Sequence, residues 1–141
     1  CLCSGISGSA NNRFNQPSDL TRNHSTGTLF IADTFNHRIM QYLANASSGT
    51  VVAGGNGQGT ATNQLSLPFC FAFDASSNSF LIANYGAHTI VRWVLGATSW
   101  TLVAGVAGSA GSSSTRLNAP LRVVLDHFGN MYVADTKNHR I

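Results

Sequence analysis

The amino-acid sequence predicts an all-β protein with the architecture of a partial β-propeller, containing about three four-stranded blades. The segment Leu29–Tyr42 has the pattern of an apolar strand, a four-residue turn and a second apolar strand. Related segments follow at Phe80–Trp93 and Met131–Ile141. Their alanines, histidines and isoleucines recur every 51 residues, at Ala32, Ala83 and Ala134, at His37, His88 and His139, and at Ile39, Ile90 and Ile141. A fixed period of this length, with four short strands in each repeat, is typical of propeller blades.

The composition agrees with many short strands joined by polar turns. Apolar residues make up 43% of the chain, which is ample for a core, whereas charged residues make up only 9%. Glutamate is absent and Lys137 is the single lysine, so two residues that favour helices are scarce. No apolar run approaches the ~20 residues that a membrane-spanning helix needs, so no membrane segment is predicted.

Each repeat is predicted to begin at a proline and to contain four antiparallel strands. Pro17, Pro68 and Pro120 precede first strands that are expected at Ser18–Arg22, Phe69–Asp74 and Leu121–Asp126. The blades are then expected at residues 17–54, 68–105 and 120–141, the last one incomplete, with linkers at 55–67 and 106–119. Residues 1–16, including a tail at Cys1–Gly5, are expected to hold the end of a preceding blade and its linker. Further blades are therefore expected from the rest of a longer chain.

The repeated segment resembles the NHL repeat. The resemblance is carried in the first repeat by Pro17, Ile31-Ala32-Asp33 and Asn36-His37-Arg38-Ile39. In the third repeat it is carried by Pro120, Asn130, Val133-Ala134-Asp135 and Asn138-His139-Arg140-Ile141. The second repeat departs from the pattern at Asn84, Ala87 and Thr89. The resemblance implies a ring of about six blades, and the family includes protein-binding and RNA-binding scaffolds and a minority of lyases.

The charged residues that flank the turn are expected to be structural. They are Asp33 and Arg38 in the first repeat and Asp135 and Arg140 in the third, whereas the second repeat has Asn84 and Thr89. Both charges are thus lost together, as expected if they touch, because one unpaired charge in a half-buried turn would cost several kcal/mol, roughly 3–5. We predict an ion pair within each blade, with Asn36 and Asn138 in the same structural motif.

The three turn histidines, His37, His88 and His139, are predicted to fix their turns by hydrogen bonding rather than to bind a metal. Given the ~4.7 Å spacing of strands, neighbouring copies would lie ~12–15 Å apart, whereas zinc holds its nitrogens at ~2.0–2.1 Å. No metal site, catalytic residue or cofactor is predicted. Cys1, Cys3 and Cys70 lack metal-ligand spacing, and a disulfide between Cys70 and a terminal cysteine stays open.

The candidate ligand-binding residues are identified by their position. First strands line the central channel of a propeller, and the second residue after each proline is Asp19, Cys70 or Arg122. The chemistry at this position changes from repeat to repeat, as expected of residues that contact a ligand at the rim of the channel. The alternative is that these side chains are hydrated rim residues without a ligand.

The sequence favours a binding scaffold for a protein or a small-molecule ligand at the channel face. A propeller lyase or hydrolase with catalytic residues partly outside this sequence is the first alternative, and an RNA-binding propeller is the second. Enzymatic activity stays open, although the sequence leans against it. Nucleic-acid binding is disfavoured because the eight basic residues are scattered singly and the net charge is only +3.

Two N-glycosylation sequons, at Asn23 and Asn45, bear on the cellular location of the protein. Both lie in predicted turns, so both asparagines are candidate glycan acceptors. This favours an extracellular protein, with a cytoplasmic location as the alternative. The end of the third repeat, around Tyr132 and Val133, is expected to present apolar surface because no further blade covers it.

Overall fold

The computed structural model describes residues 5–141, which form three antiparallel β-sheets. Blade 1 has the strand order β1-β2-β3-β4, with bounds Asp19–Arg22, Leu29–Asp33, Arg38–Tyr42 and Thr50–Gly54. Blade 2 has the order β5-β6-β7-β8, with bounds Pro68–Asp74, Ser79–Asn84, Thr89–Val94 and Thr101–Gly105. Blade 3 pairs β9 and β10, at Arg122–Leu125 and Met131–Ala134. The predicted partial β-propeller is confirmed.

Some predictions fall outside this description or differ from it at the ends of strands. Residues 1–4, with Cys1 and Cys3 and most of the tail predicted at Cys1–Gly5, lie outside the described residues. Two first strands differ by one residue from their predicted bounds, because β1 begins at Asp19 rather than Ser18 and β5 begins at Pro68 rather than Phe69. Within residues 5–141, no helix is both long and apolar enough to span a bilayer.

The middle strands of blades 1 and 2 are largely apolar because they are covered on both faces. All six residues of β6, Ser79–Asn84, are buried. Ala32 of β2 and Ala83 of β6 are fully buried, and their small side chains allow neighbouring sheets to approach. A sheet with one wet face would instead alternate apolar and polar residues. The 51-residue repeat therefore builds a stack of sheets rather than a sheet with one exposed side.

An aromatic core fills the space between blades 1 and 2. The ring of Phe80 lies edge-on to those of Phe30 and Phe71, with centroids 4.9 Å and 5.4 Å apart, and Trp93 and Trp100 extend the same core. Such contacts contribute beyond the area that they bury. Truncation of a fully buried ring such as Phe80 to alanine would cost about 3–5 kcal/mol.

A second core joins blades 2 and 3. It contains Cys70, Leu81, Ala83 and Ile90 of blade 2 and Val123 of blade 3. Adjacent residues of β6 thus point to opposite sides of the sheet: Phe80 packs in the core shared with blade 1, and Leu81 packs in the core shared with blade 3. This follows from the two-residue period of a strand.

The outer strands carry the same irregularity in both four-stranded blades. The pairing of the third and fourth strands shifts between Ile39 and Met40 in blade 1 and between Ile90 and Val91 in blade 2. Such bulges increase the local twist of a sheet. Because they recur at the same step of the repeat, they are a property of the blade.

The far face of blade 3 is only partly as predicted. Tyr132 is 49% exposed and Ile141 is 85% exposed, which agrees with the expected apolar surface. Val133 contributes less to it, because this half-buried side chain packs on the core shared with blade 2, although the residue also lines the apolar cavity of this face. Adjacent residues of a strand point to opposite faces, so Tyr132 is the more exposed of the two.

Candidate functional site

The turn of blade 1 is closed by the predicted ion pair. Nε of Arg38 donates to Oδ2 of Asp33 at 2.7 Å, and both side chains are buried. Asn36 donates to the same carboxylate oxygen at 2.8 Å. Nη2 of Arg38 reaches the backbone carbonyls of Ala10 and Arg13, at 3.1 Å and 3.2 Å. The pair therefore also holds the linker that leads into its own blade.

Blade 3 repeats this arrangement. Arg140 donates through Nε to Oδ2 of Asp135 at 2.7 Å, and Asn138 donates to the same oxygen. The backbone N–H of Asn118 donates to Oδ1 at 2.7 Å. Although burial of Asp135 opposes ionisation, these donors and the Arg140 charge hold the pKa of its carboxyl below the ordinary value. The carboxylate is therefore charged at neutral pH.

Blade 2 keeps the carboxylate's acceptor role but loses the ion pair. Oδ1 of Asn84 accepts from the backbone N–H of Ser66 at 2.7 Å. The other two polar groups, Nδ2 of Asn84 and Oγ1 of Thr89, are buried and have no hydrogen-bond partner among the described residues. Trp100 holds the linker instead, because its indole N–H donates to the carbonyl of Gln64 at 2.8 Å.

The turn histidines contact the linker that leads into the following blade. Nδ1 of His37 accepts from the backbone N–H of Leu67 at 3.1 Å, and Nδ1 of His88 accepts from that of Ala119 at 3.1 Å. Burial lowers the pKa of His37, although Asp33 opposes this, and burial together with the Lys137 charge lowers the pKa of His88. Neutral imidazoles can accept through Nδ1. His139 occupies the equivalent turn position of blade 3, with φ 54°.

The three candidate ligand-binding residues belong to the first strands of the three blades. Oδ2 of Asp19 accepts from the backbone N–H of Phe71 at 3.0 Å, across the boundary between blades 1 and 2. The thiol of Cys70 donates to the carbonyl of Val123 at 3.7 Å, across the next boundary. Both side chains thus link neighbouring first strands, a role that the sequence did not suggest.

Cys70 is a free, buried thiol, and its candidate disulfide partners, Cys1 and Cys3, lie outside the described residues. Burial is the largest cause that raises the pKa of this thiol to about 11. The nearby Asp19 carboxylate acts in the same direction, whereas Arg122 opposes it. The group is therefore a neutral donor at physiological pH and a poor nucleophile.

A cavity of about 290 Å³ lies at one end of these strands. Two adjacent residues of each blade, at or just before the start of its first strand, line it: Ser18, Asp19, Phe69, Cys70, Leu121 and Arg122. One residue of each pair was predicted from the sequence, whereas Ser18, Phe69 and Leu121 were not. These three residues could have been found from the same alignment of the repeats, because each one directly follows the proline of its repeat. A second cavity of about 300 Å³ continues along the same three strands.

The side chains around this cavity differ in how far their polar groups are satisfied. Ser18 donates to the carbonyl of Phe69 at 2.6 Å and also contacts Thr34. Arg122 is exposed, and its guanidinium has no hydrogen bond or ion pair with any described residue. The ring of Phe69 lies edge-on to Tyr85, and Nζ of Lys137 lies 6.0 Å from the Tyr85 centroid.

The other predicted positions lie apart from this cavity. Oδ1 of Asn23 accepts from the backbone N–H groups of Ser25 and Thr26, and Asn45 is exposed with φ 65°. Among residues 5–141, no three metal-ligating side chains come together.

The comparisons with known proteins agree with the sequence pattern. Residues 14–42 match the model of the NHL repeat. A solved structure of an auxiliary nutrient binding protein from Bacteroides thetaiotaomicron VPI-5482 is similar over 86% of this chain, with a TM-score of 0.68 and 16% identity. This chain spans 35% of that protein's length. A search of curated protein sequences finds no match. Residues 14–42 therefore form a segment that matches the NHL repeat, and the described chain has the fold of a partial β-propeller.

Proposed function

We propose that this propeller is a binding module and that a small-molecule ligand binds in the channel-mouth cavity, lined by residues of β1, β5 and β9 and of the segments just before them. The observation that carries the proposal is the 290 Å³ cavity itself, to which each blade contributes two adjacent residues. Three different side chains, Asp19, Cys70 and Arg122, stand at equivalent positions of the three blades. A site that combines apolar walls with a few fixed polar groups is typical of ligand pockets.

The apolar part of the cavity supports this proposal. Leu121 is 40% exposed and Phe69 is half-buried, although both are large apolar residues. Their exposed surface lies in a concave site rather than on a convex turn. Burial of such surface by a ligand would contribute about 25 cal/mol for each Å² removed from water. The similar protein's description as a nutrient binding protein is consistent with a small ligand.

Benzamide is a suitable neutral probe, because one aromatic ring fits a cavity of this volume and can pack on Phe69. The experiment follows the backbone amide resonances of the ¹⁵N-labelled chain while benzamide is added to millimolar concentrations. We expect saturable shifts at Ser18, Phe69 and Leu121. Shifts that are absent, or that are centred on the turns at the opposite end of the strands, would overturn the proposal.

A pair of matched variants tests whether the cavity wall is responsible. Leu121→Ser removes an apolar wall residue and should weaken benzamide binding several-fold. Leu43→Ser makes the same substitution at another exposed leucine, 63% accessible, in the turn after β3. The second variant should bind benzamide as the unmodified chain does.

We further propose an extracellular location, with glycans on Asn23 and Asn45. Support comes from the exposure of Asn45 and from the geometry of Asn23, whose side-chain oxygen is engaged while its amide nitrogen has no hydrogen bond among the described residues. Expression in a eukaryotic secretory host should give a mass that falls on glycosidase treatment. An unchanged mass would refute glycosylation at both positions.

A further inference from the structure

We propose that the ligand of the channel mouth carries a carboxylate group and that the guanidinium of Arg122 binds it. This inference rests on the proposed function, because it names the chemical class of the ligand for the same cavity. The inference rests on one arrangement in this cavity. The guanidinium of Arg122, which has no partner among the described residues, lies in the same lining as the apolar side chains of Leu121 and Phe69.

The acidic residue of the cavity, Asp19, does not form an ion pair with this cation. Oδ1 of Asp19 accepts from the backbone N–H of Leu20 at 2.9 Å, and Oδ2 accepts from that of Phe71 at 3.0 Å. The ion pairs of the described residues join Asp33 to Arg38, Asp74 to Arg92 and Asp135 to Arg140. Asp19 and Arg122 form none, so Arg122 remains available to an anion from outside.

The other groups around the cavity add no competing negative charge. Cys70 keeps its proton because burial raises the pKa of the thiol to about 11. Ser18 uses its hydroxyl within the protein, on the carbonyl of Phe69. The next cation, Lys137, lies over the face of Tyr85, which in turn packs on Phe69. Lys137 therefore adds a second positive charge near the cavity wall.

A carboxylate fits this donor better than other anions of similar size. The planar guanidinium offers two parallel N–H groups that match the two oxygens of a carboxylate. Phe69 and Leu121 then require an apolar body attached to that group. A single-ring aromatic carboxylate combines both features within a cavity of about 290 Å³.

The experiment compares three probes of nearly equal shape: benzoate, benzamide and benzamidinium. Their dissociation constants for the full 141-residue chain are measured by the same amide titration at low salt. A charged hydrogen bond contributes more than a neutral one, so benzoate should bind about tenfold more tightly than benzamide. Benzamidinium should bind more weakly than benzamide.

Variants identify the responsible arginine. Arg122→Gln should abolish the preference for benzoate, so that benzoate and benzamide bind with similar dissociation constants. Arg22→Gln is the matched control, because Arg22 is also exposed and without an ion pair but lies at the far end of β1. This control should bind benzoate as the unmodified chain does.

Each outcome decides between the two proposals. Benzamide binding at the cavity without a preference for benzoate would overturn the carboxylate class and leave the binding module in place. A benzoate preference that survives in Arg122→Gln would also overturn the role of Arg122. If none of the three probes binds at the cavity, the proposed small-molecule function fails together with this inference.

Discussion

Nδ1 of His37 and the backbone N–H of Leu67 form a 3.1 Å hydrogen bond between the turn of blade 1 and the linker into blade 2. His88 and Ala119 form the same bond one blade further on. The histidine lies in the left-handed region, with φ 55° in blade 1 and 59° in blade 2, which is uncommon for residues other than glycine, although histidine is among the types that adopt it more often. The recurrence of this conformation shows that the bond is part of the repeat.

Replacement of His37 by glycine should destabilise the chain by about 1–2 kcal/mol, because the Leu67 N–H loses its acceptor. Glycine is chosen because it tolerates positive φ, so backbone strain does not add to the effect. Urea denaturation measures the change. His24→Gly is the control, since His24 lies in an exposed turn and makes no such bond; equal losses in both variants would contradict the assigned role.

The unfolding free energy should fall as the pH is lowered from 7.5 to 5.5. Both His37 and His88 have a folded-state pKa below the ordinary value, so the unfolded chain binds more protons in this range. Their contribution is complete above about pH 6.5, the unfolded-state pKa, and is lost as the pH falls through the folded-state values. Thermal melts at stepped pH check this, and His37→Asn/His88→Asn should show a flatter dependence.

Removal of one partner of the buried ion pair should be far worse than removal of both. Asp33→Asn leaves the buried Arg38 without a counter-charge and should cost about 3–5 kcal/mol. The double variant Asp33→Asn/Arg38→Thr reproduces the residues that blade 2 uses, Asn84 and Thr89, and should be less destabilised than Asp33→Asn alone. Additive losses in a double-mutant cycle would show that the two side chains do not depend on each other.

Two buried threonines should respond oppositely to the same substitution. Thr89→Val removes a hydroxyl that has no partner among the described residues, so it should be neutral or stabilising by up to about 1 kcal/mol. Thr34→Val removes a hydroxyl that donates to the Pro68 carbonyl at 3.0 Å, so it should destabilise by about 1 kcal/mol. Both residues are fully buried. Denaturant midpoints that move in the same direction would contradict this account.

The isolated chain should self-associate through the exposed face of blade 3. Val124, Tyr132 and Ile141 are 42%, 49% and 85% exposed, and together they line one apolar cavity. Exposed apolar sheet faces promote association. Sedimentation velocity should therefore show a concentration-dependent increase in mass that Tyr132→Lys reduces. A monomer at all concentrations would mean that this face is stable in water.

The fold and the ion pairs could be predicted from the sequence because each is repeated in it. The 51-residue spacing indicates the blade. The joint change to Asn84 and Thr89 in blade 2 indicates that the equivalent residues of blade 1, Asp33 and Arg38, are in contact. The partner of His37 could not be predicted. It is a backbone N–H 30 residues away, and a backbone group leaves no residue type to recognise.

The candidate site was predictable in position but not in detail. The alignment of Asp19, Cys70 and Arg122 correctly brings these residues to one cavity. It gives no sign that Asp19 and Cys70 bind the backbone of the next blade, because those partners are also main-chain groups. The ligand assignment, the role of Arg122 and the glycan acceptors remain predictions.

Two consecutive backbone N–H groups of each linker bind two different blades. In the first case Ser66 donates forward to Asn84 of blade 2, while Leu67 donates back to His37 of blade 1. Asn118 and Ala119 repeat this division between Asp135 and His88. A blade that opens must release a linker shared with its neighbour, so the loss spreads along the array. Hydrogen exchange at these four amides should therefore occur together with the whole chain, in a single cooperative opening rather than blade by blade.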